Sequence, residues 1–313
     1  MTFKNILWLI KETYYEFLDD KAFKMSAALS YYAAFSIGPM LIIIIAIAGF
    51  IFGEEAVKGQ IFKEMHGLMG NDGALLLETI LKGASSTSQG IFATVLSIIF
   101  LILGSIGVFL ELQESLNIIW GVELKPGRGL KGFIKNRINS FSLVIATSFV
   151  MMISLVVNSV MTILNNYLGK TFSVLFPLAD VLNNISSFAF ITILFALIYK
   201  YLPDAIVPWK YVRIGAVMTA ALFTLGKYLI GLYIGNSSYS STYGAAASMV
   251  VLFVWIYYTG IILYFGAEFT QVYRERFGDS KILPDGDAIK IPKVSDLIKQ
   301  SVSENTNTSG NSK

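Results

Sequence analysis

Three carboxylates, Glu111, Glu114 and Glu268, stand at the ends of long apolar runs, and one ammonium, Lys227, stands inside another. A charge within an apolar helix costs about 2.5–3.5 kcal/mol on insertion scales, so such residues are kept for ion pairing, proton or ion binding, or recognition of an opposite charge. At about 1.5 Å of rise per residue, the three glutamates reach the same depth as Arg137 and Arg213, which begin two other runs. Gln113 and Asn117 lie nearby, and Tyr257, Tyr264, Glu268 and Gln271 share one helical face. Two readings stand for this level: a structural ion-pair network, or an inner gate or proton-linked site.

Lys227 poses a different problem. It interrupts "AALFTLGKYLIGLYIG" and shares a face with Arg213, Ala216, Ala220, Thr224 and Gly231, while Gly215, Thr219 and Gly226 occupy the neighbouring face. Small residues at four-residue spacing let helix backbones approach closely, so this side is expected to face other helices. The lysine lies about 12 Å from the end of its run, at a depth also reached by Asn158, and Glu268 is about 24 Å away. A salt bridge to Glu268 is therefore excluded. Lys227 either snorkels toward Asp180 or faces a hydrated vestibule open to an anionic group. Ser140, Thr147, Ser154, Asn158 and Thr162 form a polar stripe on one run, either hydrogen-bonding other helices or lining a cavity. Ser36 and Pro39 sit in the first run, where the missing amide of Pro39 is expected to kink the helix. The candidate substrate-binding set is thus Lys227, Asn158, Ser154, Thr224, Pro39 and Ser36. The candidate gate is Glu111, Glu114, Glu268, Gln271, Arg137 and Arg213.

Other chemistry has little material. The chain has no cysteine and a single histidine, His66, which reads as a polar residue on a loop helix. Thiolate catalysis and cysteine-held metals are excluded. No clustered metal ligands, acid–base histidine pair or nucleic-acid-binding module is visible. The expectation is a non-enzyme with no catalytic residues, metal, cofactor or nucleic-acid partner.

The elements that must position these residues are membrane helices. Of the 313 residues, 55% are hydrophobic and 14% charged, and mean hydropathy is +0.64. A soluble domain is about a quarter charged. Apolar runs at 26–52, 91–119, 138–164, 181–202, 211–235 and 244–272 each supply the ~20 residues that cross a bilayer as a helix. The predicted fold is an all-α integral membrane protein with six transmembrane helices. Alternate segments carry fifteen Lys and Arg against four, which puts both termini in the cytoplasm. Residues 1–25 form a cytoplasmic segment whose amphipathic helix lies on the cytoplasmic membrane face or packs on the protein's own cytoplasmic loops. Residues 26–276 form the membrane domain, residues 53–90 an outside helical hairpin, and residues 277–313 a polar tail expected to be disordered. "AIA" at 46–48 mimics a signal-peptide cleavage site, but the acidic residues before it favour an uncleaved first span.

Several stretches resemble a known family. "AALSYYAAFSIGPML", "LNIIWGV", "YLPDAIVPWKYVRIGA" and "YGAAASMVVLFVWIYYTGIILYFGAEFTQ" are similar to the YihY/BrkB family of six-span bacterial inner-membrane proteins, once labelled ribonuclease BN. The similarity covers about residues 20–275, and matching positions include Pro39, Pro203, Asp204, Lys227, Tyr243, Gly244, Gly266, Ala267 and Glu268. It implies a multi-pass protein of the plasma (inner) membrane with a transport or lipid-handling role. The residues themselves argue against ribonuclease activity. The expected function is a permease or flippase-like transporter, with the lipid bilayer as environment and an anionic lipid or small solute as partner. The alternative is a non-transporting scaffold that docks partners through the hairpin or the N-terminal helix.

Overall fold

A computed structural model describes residues 3–59, 61–62, 66, 78–79, 107–125, 176–235, 247–278, 282–286 and 288–291. Its helices are α1 (Phe3–Asp19), α2 (Ala22–Phe52), α3 (107–120), α4 (Phe176–Tyr201), α5 (Trp209–Gly235) and α6 (Ala247–Phe277). The long helices follow the apolar runs to within a few residues. Among the described residues, three stretches are long and apolar enough to cross a membrane: Asn184–Tyr201, Trp209–Ile230 and Met249–Phe277. Helix α2 passes through Pro39 as one element, so the proline does not end it. The run at 138–164, and with it Asn158, Ser154 and Arg137, lies outside the described residues, as does most of the expected outside hairpin. Of that hairpin, a short helix at 54–59 is seen, where Lys58 bonds Glu54 at 2.7 Å. The Glu54 carboxylate holds the Lys58 ammonium above its ordinary pKa.

Helix α6 is the hub, packing against α1, α2 and α5, while α4 packs on α5. Gly260 of α6 lets α2 close in: a Cβ there would stand 3.2 Å from the Cα of Ser26. The main core joins Leu116, Ile119 and Trp120 of α3 to Phe195 and Tyr199 of α4, Ala216 and Ala220 of α5, and Leu263, Tyr264 and Ala267 of α6. Toward the other end of α6 a smaller cluster gathers Val251, Leu252 and Trp255.

Four short strands, which hydropathy did not predict, tie one end of the bundle together. β1 (Val122–Leu124) follows α3 and β2 (Ala205–Ile206) follows α4; β3 (Leu283–Pro284) and β4 (Ala288–Lys290) follow α6. β1 pairs antiparallel with β4, placing Glu123 opposite Ile289, and β2 pairs antiparallel with β3. Gly121 (φ 64°) and Gly286 (φ 59°) occupy the left-handed region that turns into and between these strands require. Residues 282–286 and 288–291 thus carry strands beyond residue 277, where the disordered tail was expected to begin.

Helix α1 packs on α6 through Leu9, Thr13 and Phe17. The Phe17 ring lies 5.9 Å from Phe265, and Arg276 sits 5.2 Å over the Trp8 ring. These pairs run in opposite order along the two helices, so α1 lies antiparallel beside the last turns of α6. Its buried side thus rests on a helix of the bundle, not on the cytoplasmic loops. Lys21, in the left-handed conformation, breaks α1 from α2.

Candidate functional site

The polar interior gathers at the strand-bearing end. Glu268 is fully buried in α6, with Thr270 and Gln271 buried beside it, and Gln113, Ser115 and Asn117 are buried on α3. Tyr264, one turn before Glu268, is buried, and its hydroxyl has no hydrogen-bond partner among the described residues. Ser115 donates to Glu111 Oε1 at 3.3 Å. Glu275 Oε1 accepts from Gln271 Nε2 at 2.9 Å and from Arg274 at 3.0 Å. Trp120 Nε1 and Gln271 Oε1 are buried without a hydrogen-bond partner among the described residues. In an apolar helix bundle, a buried carboxylate must be compensated by donors or carry a proton. This end therefore has the chemistry to hold an ion, a proton or a structural network.

The predicted gate residues separate into two groups here. Glu111 is half-buried and Glu268 and Gln271 are buried, whereas Glu114 and Arg213 are exposed. Helix rise placed all of them at one depth, but rotation about each helix axis turns Glu114 and Arg213 outward.

Asp204 is the anchor that sequence reasoning gave no role. Its Oδ2 accepts from Gln113 Nε2 at 3.0 Å and Asn117 Nδ2 at 2.8 Å, and its amide donates to Asn117 Oδ1 at 2.7 Å. The Asp204 carbonyl in turn accepts from the Asp285 amide at 2.9 Å. One residue thus joins α3, the turn after α4 and the segment after α6. Lys200 caps the same turn by donating to the Val207 carbonyl at 2.7 Å. The only sequence signal for this arrangement was the "LPDA" stretch within the family resemblance.

The seam between α5 and α6 is closed by reciprocal glycine–threonine contacts. A Cβ on Gly215 would overlap Thr270 Oγ1, and a Cβ on Gly266 would overlap Thr219 Oγ1 and crowd Tyr199 Oη. Thr219 and Thr270 each donate to a carbonyl four residues back, at 2.7 Å. Tyr199 donates to the Leu263 carbonyl at 2.6 Å and lies 2.8 Å from Thr219 Oγ1, so α4, α5 and α6 meet at one hydroxyl pair.

The predicted binding residues lie elsewhere. Lys227 is half-buried on α5, and Thr224, also half-buried, donates to the Ala220 carbonyl at 2.8 Å. Ser36 is buried and donates to the Tyr32 carbonyl at 2.8 Å. Of the rest of the substrate-binding set, Asn158 and Ser154 lie outside the described residues, and the side chain of Pro39 is not described.

The family model for virulence factor BrkB matches residues 13–288. The chain belongs to the virulence factor BrkB family. A UPF0761 membrane protein of Pseudomonas aeruginosa is 28% identical over 258 residues, covering 81% of this chain and 59% of the relative. One of Acinetobacter baylyi is 26% identical over 269 residues, covering 85% of this chain and 61% of the relative. The chain spans less than two thirds of the length of these relatives. No solved structure matches it. With its apolar helices, this BrkB-family chain is a multi-pass membrane protein.

Proposed function

We propose that this protein is a six-span permease or flippase-like transporter of the inner membrane, not an enzyme, with both termini in the cytoplasm. The fifteen-to-four bias of Lys and Arg supports that orientation. So does the gathering of α1, the strands and the C-terminal end of α6 at one end of the bundle. In this reading the strand-bearing end is the closed inner side, and Lys227 stands in a vestibule open to the outside. The observation that carries the proposal is the fully buried Glu268 in an apolar membrane helix, with Thr270 and Gln271 of the same helix also buried. Ion- or proton-linked transport makes use of so expensive an interior, whereas in the scaffold reading it serves only as a structural network.

The absence of native cysteine makes the vestibule directly testable. Lys227→Cys should react with a membrane-impermeant maleimide added outside intact cells. Leu229→Cys, on the exposed apolar side of α5, should stay unreactive in lipid. The purified Lys227→Cys chain should label in denaturant, showing that the thiol is intact. Reaction only in denaturant would remove the vestibule and leave the scaffold reading in its place.

A further inference from the structure

We infer that the outward side of α1 is a docking surface for an anionic lipid leaflet. The inference rests on how apolar groups and charges are sorted around one helix. At about 100° per residue, Leu9, Thr13 and Phe17 fall in a sector of roughly 80°, and these are the residues buried against α6. Leu7, Tyr14 and Leu18 fall on the far side, exposed by 54%, 50% and 42%. Lys4 and Lys11, both exposed, lie in the same roughly 80° sector as those three. The acidic residues Glu12, Glu16 and Asp19 form a separate sector of roughly 60° on the flank.

Trp8 and Tyr15, also exposed, lie between the lysines and the acids, so the bases stand within the exposed apolar face and the acids at its edge. An anionic membrane surface fits this arrangement, because apolar side chains enter the boundary region while lysines reach the headgroups. Lys11 folds over the Tyr15 ring at 5.7 Å, pairing a cation with an amphipathic aromatic of the kind found at membrane interfaces.

The position of α1 in the fold agrees with this occupant. It flanks α6 from Phe265 to Arg276. The apolar stretch of α6, Met249–Phe277, is 29 residues long, beyond the ~20 that cross the hydrocarbon core. The last turns of α6 therefore reach the headgroup level, and α1 lies beside them. Exposed Phe23 at the start of α2 continues the apolar surface from α1 into the bundle, and exposed Lys21 and Lys24 add two more bases next to it.

The test uses the full chain in nanodiscs, with spin labels on Leu7→Cys, Leu18→Cys and, as the contrasting position, Asp19→Cys. In discs containing phosphatidylglycerol, Leu7 and Leu18 labels should collide with dissolved oxygen severalfold more than with a water-soluble nickel chelate, and the Asp19 label should show the reverse. In pure phosphatidylcholine discs the oxygen preference should fall. In the Lys4→Gln/Lys11→Gln variant, whose substitutions are exposed and spare the core, the difference between the two lipids should vanish. Nickel accessibility at Leu7 and Leu18 in both lipids would overturn the proposal. So would dipolar broadening between labels on two chains, which would make a second copy the occupant. Equal oxygen preference in both lipids would refute the anionic requirement.

Discussion

The seam between α5 and α6 is built differently at its two ends. Near the strands, Gly215 meets Thr270, Gly266 meets Thr219 and Tyr199, and all of these side chains are buried. Toward the far end, Gly226 meets the hydroxyl and ring edge of half-buried Tyr258, Lys227 is half-buried, and Tyr228 and Leu229 are exposed. The comparison teaches where rigidity is placed. Two helices whose backbones are held together by interlocked hydroxyls at one end can separate only at the other. The strand-bearing end is therefore a pivot for any relative motion of α5 and α6, and the Lys227 level is where such motion has room.

Substitutions along the seam should expose this difference, beginning with the largest effect. Gly266→Ala drives a methyl group into two buried hydroxyls held by hydrogen bonds, and should cost the upper part of the about 1–3 kcal/mol typical of overpacking. Gly226→Ala meets the hydroxyl and ring edge of Tyr258, a side chain that is half-buried rather than buried, and should cost less. Thermal unfolding midpoints of the two variants in one detergent check the ordering. Equal losses would mean that the two ends are equally tight.

Asp204→Ala should come next. It leaves the Gln113 and Asn117 amides without their acceptor, at about 1–3 kcal/mol for a buried group left unsatisfied, reduced by the partial exposure of Asp204. Asp204→Asn keeps a carbonyl oxygen that can accept from both amides and should recover most of the loss. Protease sensitivity at 282–291 should rise in the alanine variant and stay near the parent in the asparagine variant. The smallest effect belongs to Lys227→Met, which should change the unfolding midpoint by no more than about 0.5 kcal/mol equivalent. A large loss there would place Lys227 in the structural framework and make the two ends alike.

The helices were legible because an apolar run of more than 20 residues admits one structure in a membrane. The predicted boundaries of the last three runs fall within a few residues of α4, α5 and α6. The strands were not legible, since elements of two and three residues carry no periodicity. Only the Asp285–Gly286 pair signalled a turn in that region. The site was legible in part. Depth follows from helix rise, so Glu111 and Glu268 were placed together, but rise does not give rotation, and Glu114 and Arg213 face outward. The Asp204 anchor joins residues 87 and 91 positions apart, a distance over which a single sequence carries no pairing signal.

The pairing of β4 with β1 also dictates an order of construction. Val122 meets Lys290, a residue more than half of the chain's 313 residues downstream. Chains are made and begin to fold from the N-terminus, so α1 to α6 are all synthesised before β3 and β4 leave the ribosome. The stop that would matter most for assembly is therefore not one inside a helix. A chain ending at 278 would keep α1 to α6 and yet leave α3 and α4 without the strands that join their ends, and quality-control proteases would meet that difference first.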